Sequence, residues 1–102
     1  MGLEVVVEDE SGGRVEALAD PTNILHRVLP RADDHAYRWL GFVDWYGDTV
    51  FNRRQVEYVL AELEVLATAN HTADDAAFLR RLHVLAARCL EGPHLYLKFY
   101  GD

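Results

Sequence analysis

Residues 40–69 read LGFVDWYGDTVFNRRQVEYVLAELEVLATA, and this stretch decides the fold. An apolar segment leads into an acidic and aromatic turn, which is followed by the clearest helical pattern in the chain. Asn52 and Gln55 have the spacing of a capping box, in which each side chain bonds the backbone N–H of the other residue at a helix start. Apolar residues then recur at helical spacing, which predicts a helix over 52–69 with one buried face. The residues predicted to share that face are Val56, Val59, Leu60, Leu63, Leu66 and Ala67.

The sequence after this helix predicts a second helix and a closing strand. Thr72 is a suitable cap for a helix over 72–91, and Gly92 and Pro93 follow as a stop signal. Residues 94–100 read HLYLKFY, and their alternation predicts a strand. Its core-facing residues are predicted to be Leu95, Leu97 and Phe99.

The sequence before residue 40 predicts a small sheet that receives the helices. Residues 3–8 alternate as in a half-buried strand, and residues 15–19 read as the partner strand of a hairpin. A short helix is predicted to start at Asp20 and Pro21 and to run to Leu29. Tyr37–Val43 is predicted to be a central strand, and residues 49–51 a short return strand.

These elements together predict a single α+β domain over residues 1–102. We expect a two-layer sandwich, in which a mostly antiparallel sheet of four to five strands carries two long helices on one face.

The charge balance limits the classes of partner. The chain has 10 Lys and Arg against 17 Asp and Glu, a formal net charge of −7. Such a surface repels phosphate backbones, so we expect no nucleic acid as a partner, whereas a basic protein is favoured. No apolar run approaches the ~20 residues that span a bilayer, so no membrane association is expected. Because the opening residues lack signal-peptide features and Cys89 is the single cysteine, we expect a cytoplasmic protein.

Metal and cofactor sites are not predicted. None of the five histidines has the spacing of a metal-ligand pair, and one cysteine cannot form a CxxC motif.

The turn 44–48 and the helix start after it form the densest polar and aromatic cluster. The candidate binding residues there are Asp44, Trp45, Tyr46, Asp48 and Arg53. Two carboxylates, a phenol and a guanidinium near a helix N-terminus are groups that bind a ligand or transfer a proton. In the alternative interpretation, the aspartates only hydrogen-bond turn amides. The sequence leaves both interpretations open.

The closing strand offers a second candidate surface. Tyr96, Lys98 and Tyr100 are predicted to face away from the core, and with Trp39 and Trp45 they form an aromatic interaction surface. Tyrosine and tryptophan are enriched at interface hot spots. If this strand lies at a sheet edge, its free backbone groups can pair with a second copy, and we expect a homodimer. A position inside the sheet removes that reason.

Two segments carry a family resemblance: D-x-Y-G-D-T-V-F-N-R over 44–53 and H-L-Y-L-x-F-x-G-D over 94–102. With both, the chain resembles a group of small, acidic, uncharacterised bacterial proteins of about this length, over most of its sequence. The resemblance implies no activity, so no functional residues are transferred from it. In size and charge the chain is also similar to the immunity proteins that neutralise bacterial toxins.

We therefore expect a non-enzymatic protein-binding module, in its narrower form an immunity-like inhibitor of a bacterial toxin. The reasons are the acidic charge, the aromatic surface and the absence of a catalytic motif. The alternative is a small ligand-binding protein or enzyme that uses Asp44, Tyr46, Asp48 and Arg53. That alternative requires the four side chains to converge on a pocket.

Overall fold

The computed structural model describes residues 3–31 and 33–101. Within these ranges the chain forms four β-strands, three α-helices and one short 3₁₀ helix. In chain order the elements are β1 (Glu4–Asp9), β2 (Arg14–Leu18), α1 (Ile24–Val28), the 3₁₀ helix (Leu40–Phe42), β3 (Asp48–Phe51), α2 (Arg53–Leu66), α3 (Ala73–Arg88) and β4 (Leu95–Tyr100).

The strands form one antiparallel sheet in the order β2-β1-β4-β3. β1 and β2 are the predicted hairpin, and β4 lies between β1 and β3. The register places Val5 beside Phe99 and Val7 beside Leu97, so apolar residues of both central strands share one face. This sheet and its helices confirm the predicted α+β class.

The two long helices begin as the sequence predicts. Asn52 Oδ1 accepts from the N–H of Gln55 at 3.0 Å, and Gln55 Oε1 accepts from the N–H of Asn52 at 2.9 Å. The capping box of α2 is therefore confirmed. Thr72 Oγ1 caps α3 by accepting from the N–H of Asp75 at 3.1 Å. Both helices are a few residues shorter at their C-terminal ends than predicted.

The hydrophobic core lies between these helices and the Val5 face of the sheet. α3 packs against β1 and β2, and α2 packs against β3 and β4. Of the face predicted for α2, Leu60 is half-buried and Ala67 is exposed. The other four predicted residues are buried: Val56, Val59, Leu63 and Leu66.

The segment Tyr37–Val43 is not the strand that its apolar residues predict. It consists of turns and the 3₁₀ helix. The Glu62 carboxylate of α2 accepts hydrogen bonds from the backbone N–H groups of Trp39 and Leu40, the shortest at 2.8 Å. A residue 22 positions along the chain thus satisfies donors that a strand would pair inside the sheet. In the described ranges the sheet has four strands, which lies within the predicted four to five.

β1 is predicted to be half-buried, but both of its faces are buried. Val5 and Val7 belong to the core, while Val6 and Glu8 on the opposite face are also buried. Because β1 lies inside the sheet, side chains of both neighbouring strands can cover that second face.

The short helix α1 begins later than predicted, at Ile24 instead of Pro21. Asn23 precedes it in the left-handed conformation, with φ 57°. Asp20 does serve as a cap, since its carboxylate accepts from the N–H groups of Ile24 and Leu25 at 2.7 and 2.8 Å. The acidic cap was thus predicted correctly, but the chain makes a turn before the helix starts.

β4 lies inside the sheet, with β1 on one side and β3 on the other. The backbone N–H and C=O groups of β4 pair with β1 and β3, so this strand has no free edge at which a second copy could pair. The edge-pairing reason for a homodimer therefore does not hold.

Candidate protein-binding surface

The turn that contains Asp44 is held by local hydrogen bonds. The N–H of Asp44 donates to Thr49 Oγ1 at 2.8 Å, and Asp44 Oδ1 accepts from the N–H of Tyr46 at 2.9 Å. Gly47 lies so close that an added Cβ would stand 2.9 Å from Asp44 Oδ2. These contacts are those of an Asx-type turn, in which the carboxylate replaces a backbone acceptor.

The other residues of this predicted cluster are spread along β3. Asp48 opens the strand opposite Tyr100, whereas Arg53 follows its far end. Because the extended backbone rises about 3.3 Å per residue, the two ends of β3 lie on the order of 10 Å apart. Arg53 donates to the backbone oxygen of Leu90 at 3.1 Å, next to the end of α3. Its guanidinium thus connects the start of α2 with the turn that follows α3.

The two aromatic residues of the turn differ in environment. Trp45 is half-buried against the core, and its ring meets the ring of His26 edge to face at 5.2 Å. Tyr46 is 85 % exposed. Of the predicted cluster, Tyr46 is thus the side chain that the turn offers most openly to a partner.

Tyr100 and Lys98 take part in a buried ion-pair network on the sheet face opposite the core. Lys98 Nζ lies 2.8 Å from Glu8 Oε1, and the Tyr100 hydroxyl donates to Glu8 Oε2. These hydrogen bonds from Lys98 and Tyr100 hold the pKa of Glu8 below its ordinary value, while the pKa values of Lys98 and Tyr100 are raised by the same carboxylate. In the register, Lys98 is paired with Val6, which is fully buried. Its arrangement explains how a glutamate is accommodated inside the sheet.

A second ion pair completes this face. Arg14 of β2 forms a bidentate pair with Glu4 at 2.9 and 3.0 Å, and its guanidinium carbon lies 6.0 Å from the centre of the Tyr100 ring. Tyr96 is half-buried beside Arg53, at a small cavity of about 200 Å³. The predicted stripe of Tyr96, Lys98 and Tyr100 therefore exists, but two of its three members are engaged in ion-pair contacts.

The most exposed aromatic cluster lies elsewhere, where the segment before β3 crosses α2. Trp39 stacks on Tyr58 with ring centres 5.3 Å apart and planes at 19°, and Phe42 meets Trp39 edge to face at 6.2 Å. Phe42 is 63 % exposed and Tyr58 is 58 % exposed. We call these three residues the aromatic patch. Offset-stacked and edge-to-face rings are favourable geometries, so the patch is ordered before any partner arrives.

Glu62 fixes the aromatic patch to its helix. Its carboxylate bonds two backbone N–H groups of the segment that carries Trp39, at 2.8 to 3.1 Å. On α2, Tyr58, Glu62 and Val65 are spaced at i, i+4 and i+7, which places them on one face. Val65 is exposed and extends the apolar surface along that face. A cavity of about 220 Å³ borders the patch at Phe42 and adds polar groups, among them Asp34, His35 and Arg38.

Sequence reasoning found one of the three patch residues and missed the rest. Trp39 was a predicted interaction residue, whereas Phe42 was predicted to belong to a strand and Tyr58 was assigned no role. One signal was readable: Tyr58 and Val65 lie seven residues apart on the otherwise polar side of the helix. Two apolar residues at that spacing indicate an exposed apolar stripe.

Cys89 is buried, and burial raises the pKa of its thiol to about 11. A thiol of that pKa is protonated at neutral pH and is a weak nucleophile. In the described part of the chain, no three His, Cys, Asp or Glu side chains are grouped as a metal ion would require. Within the same ranges, no helix has both the length and the apolar composition needed to cross a bilayer.

No protein-family model, no curated protein and no solved structure matches this chain. The resemblance to small acidic bacterial proteins therefore stays a prediction, and the site carries the functional argument alone.

Proposed function

We propose that this protein is a non-enzymatic protein-binding module whose partner docks on the aromatic patch of Trp39, Phe42 and Tyr58. The observation that carries the proposal is the exposure of two stacked or edge-packed aromatic side chains on a scaffold fixed by Glu62. Rigid aromatic anchors lose little conformational entropy on binding and dominate the energy of many interfaces.

The partner class follows from charge. With a net charge of −7, the chain attracts basic surfaces over distances of about a Debye length, near 8–10 Å at physiological salt. The same charge disfavours nucleic acid. The proposed partner is therefore a protein with a basic surface, met in the cytoplasm, where a lone cysteine is unremarkable.

The narrower form of the proposal is an immunity-like inhibitor, whose partner would be a basic bacterial toxin. Small size and acidic charge support this form. Inhibition of a purified basic toxin encoded beside this chain, at equal molar amounts, is the result that it requires.

The proposal is tested with matched tyrosine variants of the full chain. The wild type, Tyr58→Ala and Tyr46→Ala are immobilised and exposed to extract of the source cell, and the retained proteins are identified. We expect one basic protein to be retained by the wild type and by Tyr46→Ala but not by Tyr58→Ala. With that protein purified, Phe42→Ala and Tyr58→Ala should each weaken binding by about tenfold or more.

Tyr46→Ala is the control because Tyr46 is an exposed tyrosine outside the aromatic patch. Equal retention by the wild type and Tyr58→Ala overturns the assignment of the patch. A loss confined to Tyr46→Ala moves the site to the turn 44–48, the alternative that the sequence left open. Circular dichroism of each variant establishes that a loss of binding is not a loss of fold.

A further inference from the structure

β2 is an edge strand whose outer side has no paired neighbour in the described part of the chain. Its residues 14–17 are all exposed, and it pairs only with β1. Alternate backbone N–H and C=O groups of such a strand point outward and can pair with an added strand.

A groove runs beside this open edge, between β2 and α3. Its volume is about 430 Å³. Its apolar lining is provided by Leu18, Ala77, Val84 and Leu85. Val84 is 66 % exposed, although it lies on a helix that packs on the sheet. The groove therefore offers apolar contact within reach of the strand's free backbone groups.

The charge of the groove is opposite to that of the whole protein. Arg80 and Arg81 line it, and neither forms an ion pair among the described residues. Glu16 also lies at the groove, and its neighbour Arg88 at 3.5 Å is bonded more closely to Glu91, so the positive charge of the groove rests on two arginines against one carboxylate. In a chain of net charge −7, this is a local positive site beside apolar surface.

We propose that this groove binds an extended acidic peptide segment of another protein, which adds a fifth strand to the sheet at β2. Backbone hydrogen bonds to β2 provide affinity that does not depend on sequence. Side chains of a strand alternate between two faces, so every second one is directed towards the groove. There an apolar side chain contacts Val84, and a carboxylate pairs with Arg80 or Arg81. This site lies apart from the aromatic patch and does not depend on it.

The charge requirement is tested with two synthetic peptides and the full chain. Both peptides have about seven residues, and their groove-facing positions, which are every second residue, carry valine and a charged residue in turn. Threonine fills the positions between, and the two peptides differ only in whether the charged residue is Glu or Lys. We expect the Glu peptide to bind about tenfold or more tightly than the Lys peptide in fluorescence anisotropy. In the variant Arg80→Glu/Arg81→Glu this preference should be lost or reversed.

The docking position is tested with two matched valine variants. Val84→Glu places a carboxylate in the groove, whereas Val50→Glu makes the same change at another exposed valine, on the opposite edge strand β3. Val84→Glu should weaken binding of the Glu peptide by about tenfold, and Val50→Glu should leave it unchanged within about twofold. The NMR signals of the backbone amides of Arg14–Leu18 should shift when the peptide binds. N-methylation of alternate peptide amides removes their hydrogen-bond donors and should abolish binding.

Three results overturn the proposal. The first is no binding of the Glu peptide at about 1 mM, a concentration that saturates a site with a micromolar Kd. The second is equal binding of the Glu and Lys peptides, or equal effects of Val84→Glu and Val50→Glu. The third is sedimentation at twice the 11.6 kDa chain mass that is lost in Val84→Glu, which assigns the groove to a second copy.

Discussion

Lys98 of β4 and Glu8 of β1 form an ion pair inside the sheet, with 2.8 Å between Nζ and Oε1. The Glu8 side chain is 6 % exposed and that of Lys98 is 24 % exposed, so most of both charged groups is shielded from water. The Tyr100 hydroxyl donates to the other oxygen of the same carboxylate. The polar face of the sheet is therefore held by a fully bonded glutamate, and its partners cannot be removed one at a time without cost.

The first prediction is that Lys98→Met destabilises the fold by about 3 kcal/mol, because it leaves Glu8 charged and without its main partner in the sheet. Urea unfolding followed by circular dichroism measures the change. The double variant Glu8→Met/Lys98→Met should recover most of the loss, since it removes both charges. A single variant as stable as the wild type would show that water reaches Glu8 and that the pair is not shielded.

The second prediction concerns acid. Hydrogen bonds from Lys98 and Tyr100 lower the pKa of Glu8 from its ordinary value of 4.5, and the Arg27 side chain at 2.6 Å lowers that of Asp75. The folded state therefore binds these protons less readily than the unfolded state does. The stabilisation is fully present above about pH 5 and is lost as the pH falls through the folded-state values.

Urea midpoints measured at intervals from pH 7 down to about pH 3 test this sign. In Glu8→Gln the decline below pH 4.5 should be shallower than in the wild type, because one titrating group is gone. An exposed glutamate provides the control, and Glu57→Gln is suitable. Identical slopes for all three proteins would contradict the assignment to Glu8.

The third prediction is that Cys89 is unreactive while the protein is folded. Its thiol is buried and its pKa is raised to about 11, so little thiolate exists at pH 8 and access is blocked. An aromatic disulfide reagent should react only as fast as the chain unfolds, and fully in denaturant. Val50→Cys in a Cys89→Ala background supplies an exposed thiol on β3 for comparison. Equal rates for the two thiols would mean that Cys89 is accessible.

The fourth prediction is that Glu62→Ala releases the segment that carries Trp39 from α2. Two backbone N–H groups lose their carboxylate acceptor, which should cost about 2 kcal/mol and raise hydrogen exchange at Trp39 and Leu40. Binding to the aromatic patch should weaken along with it, although Glu62 is not itself an aromatic anchor. Glu57→Ala, at an exposed position of the same helix, should change neither the hydrogen exchange of Trp39 and Leu40 nor the binding to the aromatic patch.

Elements set by neighbouring residues could be predicted from the sequence. The capping box of Asn52 and Gln55 needs only a spacing of three residues, and the alternation of β4 is contained in its own six residues. Both were therefore readable. The buried face of α2 could be predicted for the same reason, except at Ala67, which is exposed at the end of the helix.

Features set by distant residues could not be predicted. Whether Tyr37–Val43 becomes a strand or a 3₁₀ helix depends on Glu62, which no local pattern connects to it. The alternation within β1 predicts a half-buried strand. Its second face is covered by Lys98 and Tyr100, which lie 90 or more positions from Glu8 in the sequence. The aromatic patch could not be predicted either, because it forms only where the segment of Trp39 and Phe42 packs on α2.

The central pairing of β1 with β4 also sets the order in which the protein is able to fold. It pairs Glu4 with Tyr100, from the two ends of the described chain, and the Tyr100 hydroxyl also bonds Glu8, 92 positions away. During synthesis, the residues of the β1–β2 hairpin and of both long helices leave the ribosome before those of β4. β4 is the strand that joins β1 to β3 in the sheet. Pairings between residues so far apart in sequence slow folding, because the chain loses conformational entropy in bringing its ends together before their contacts provide stabilisation. Completion of the sheet is consequently a late event, and a chain that stops before Leu95 has no means of closing it.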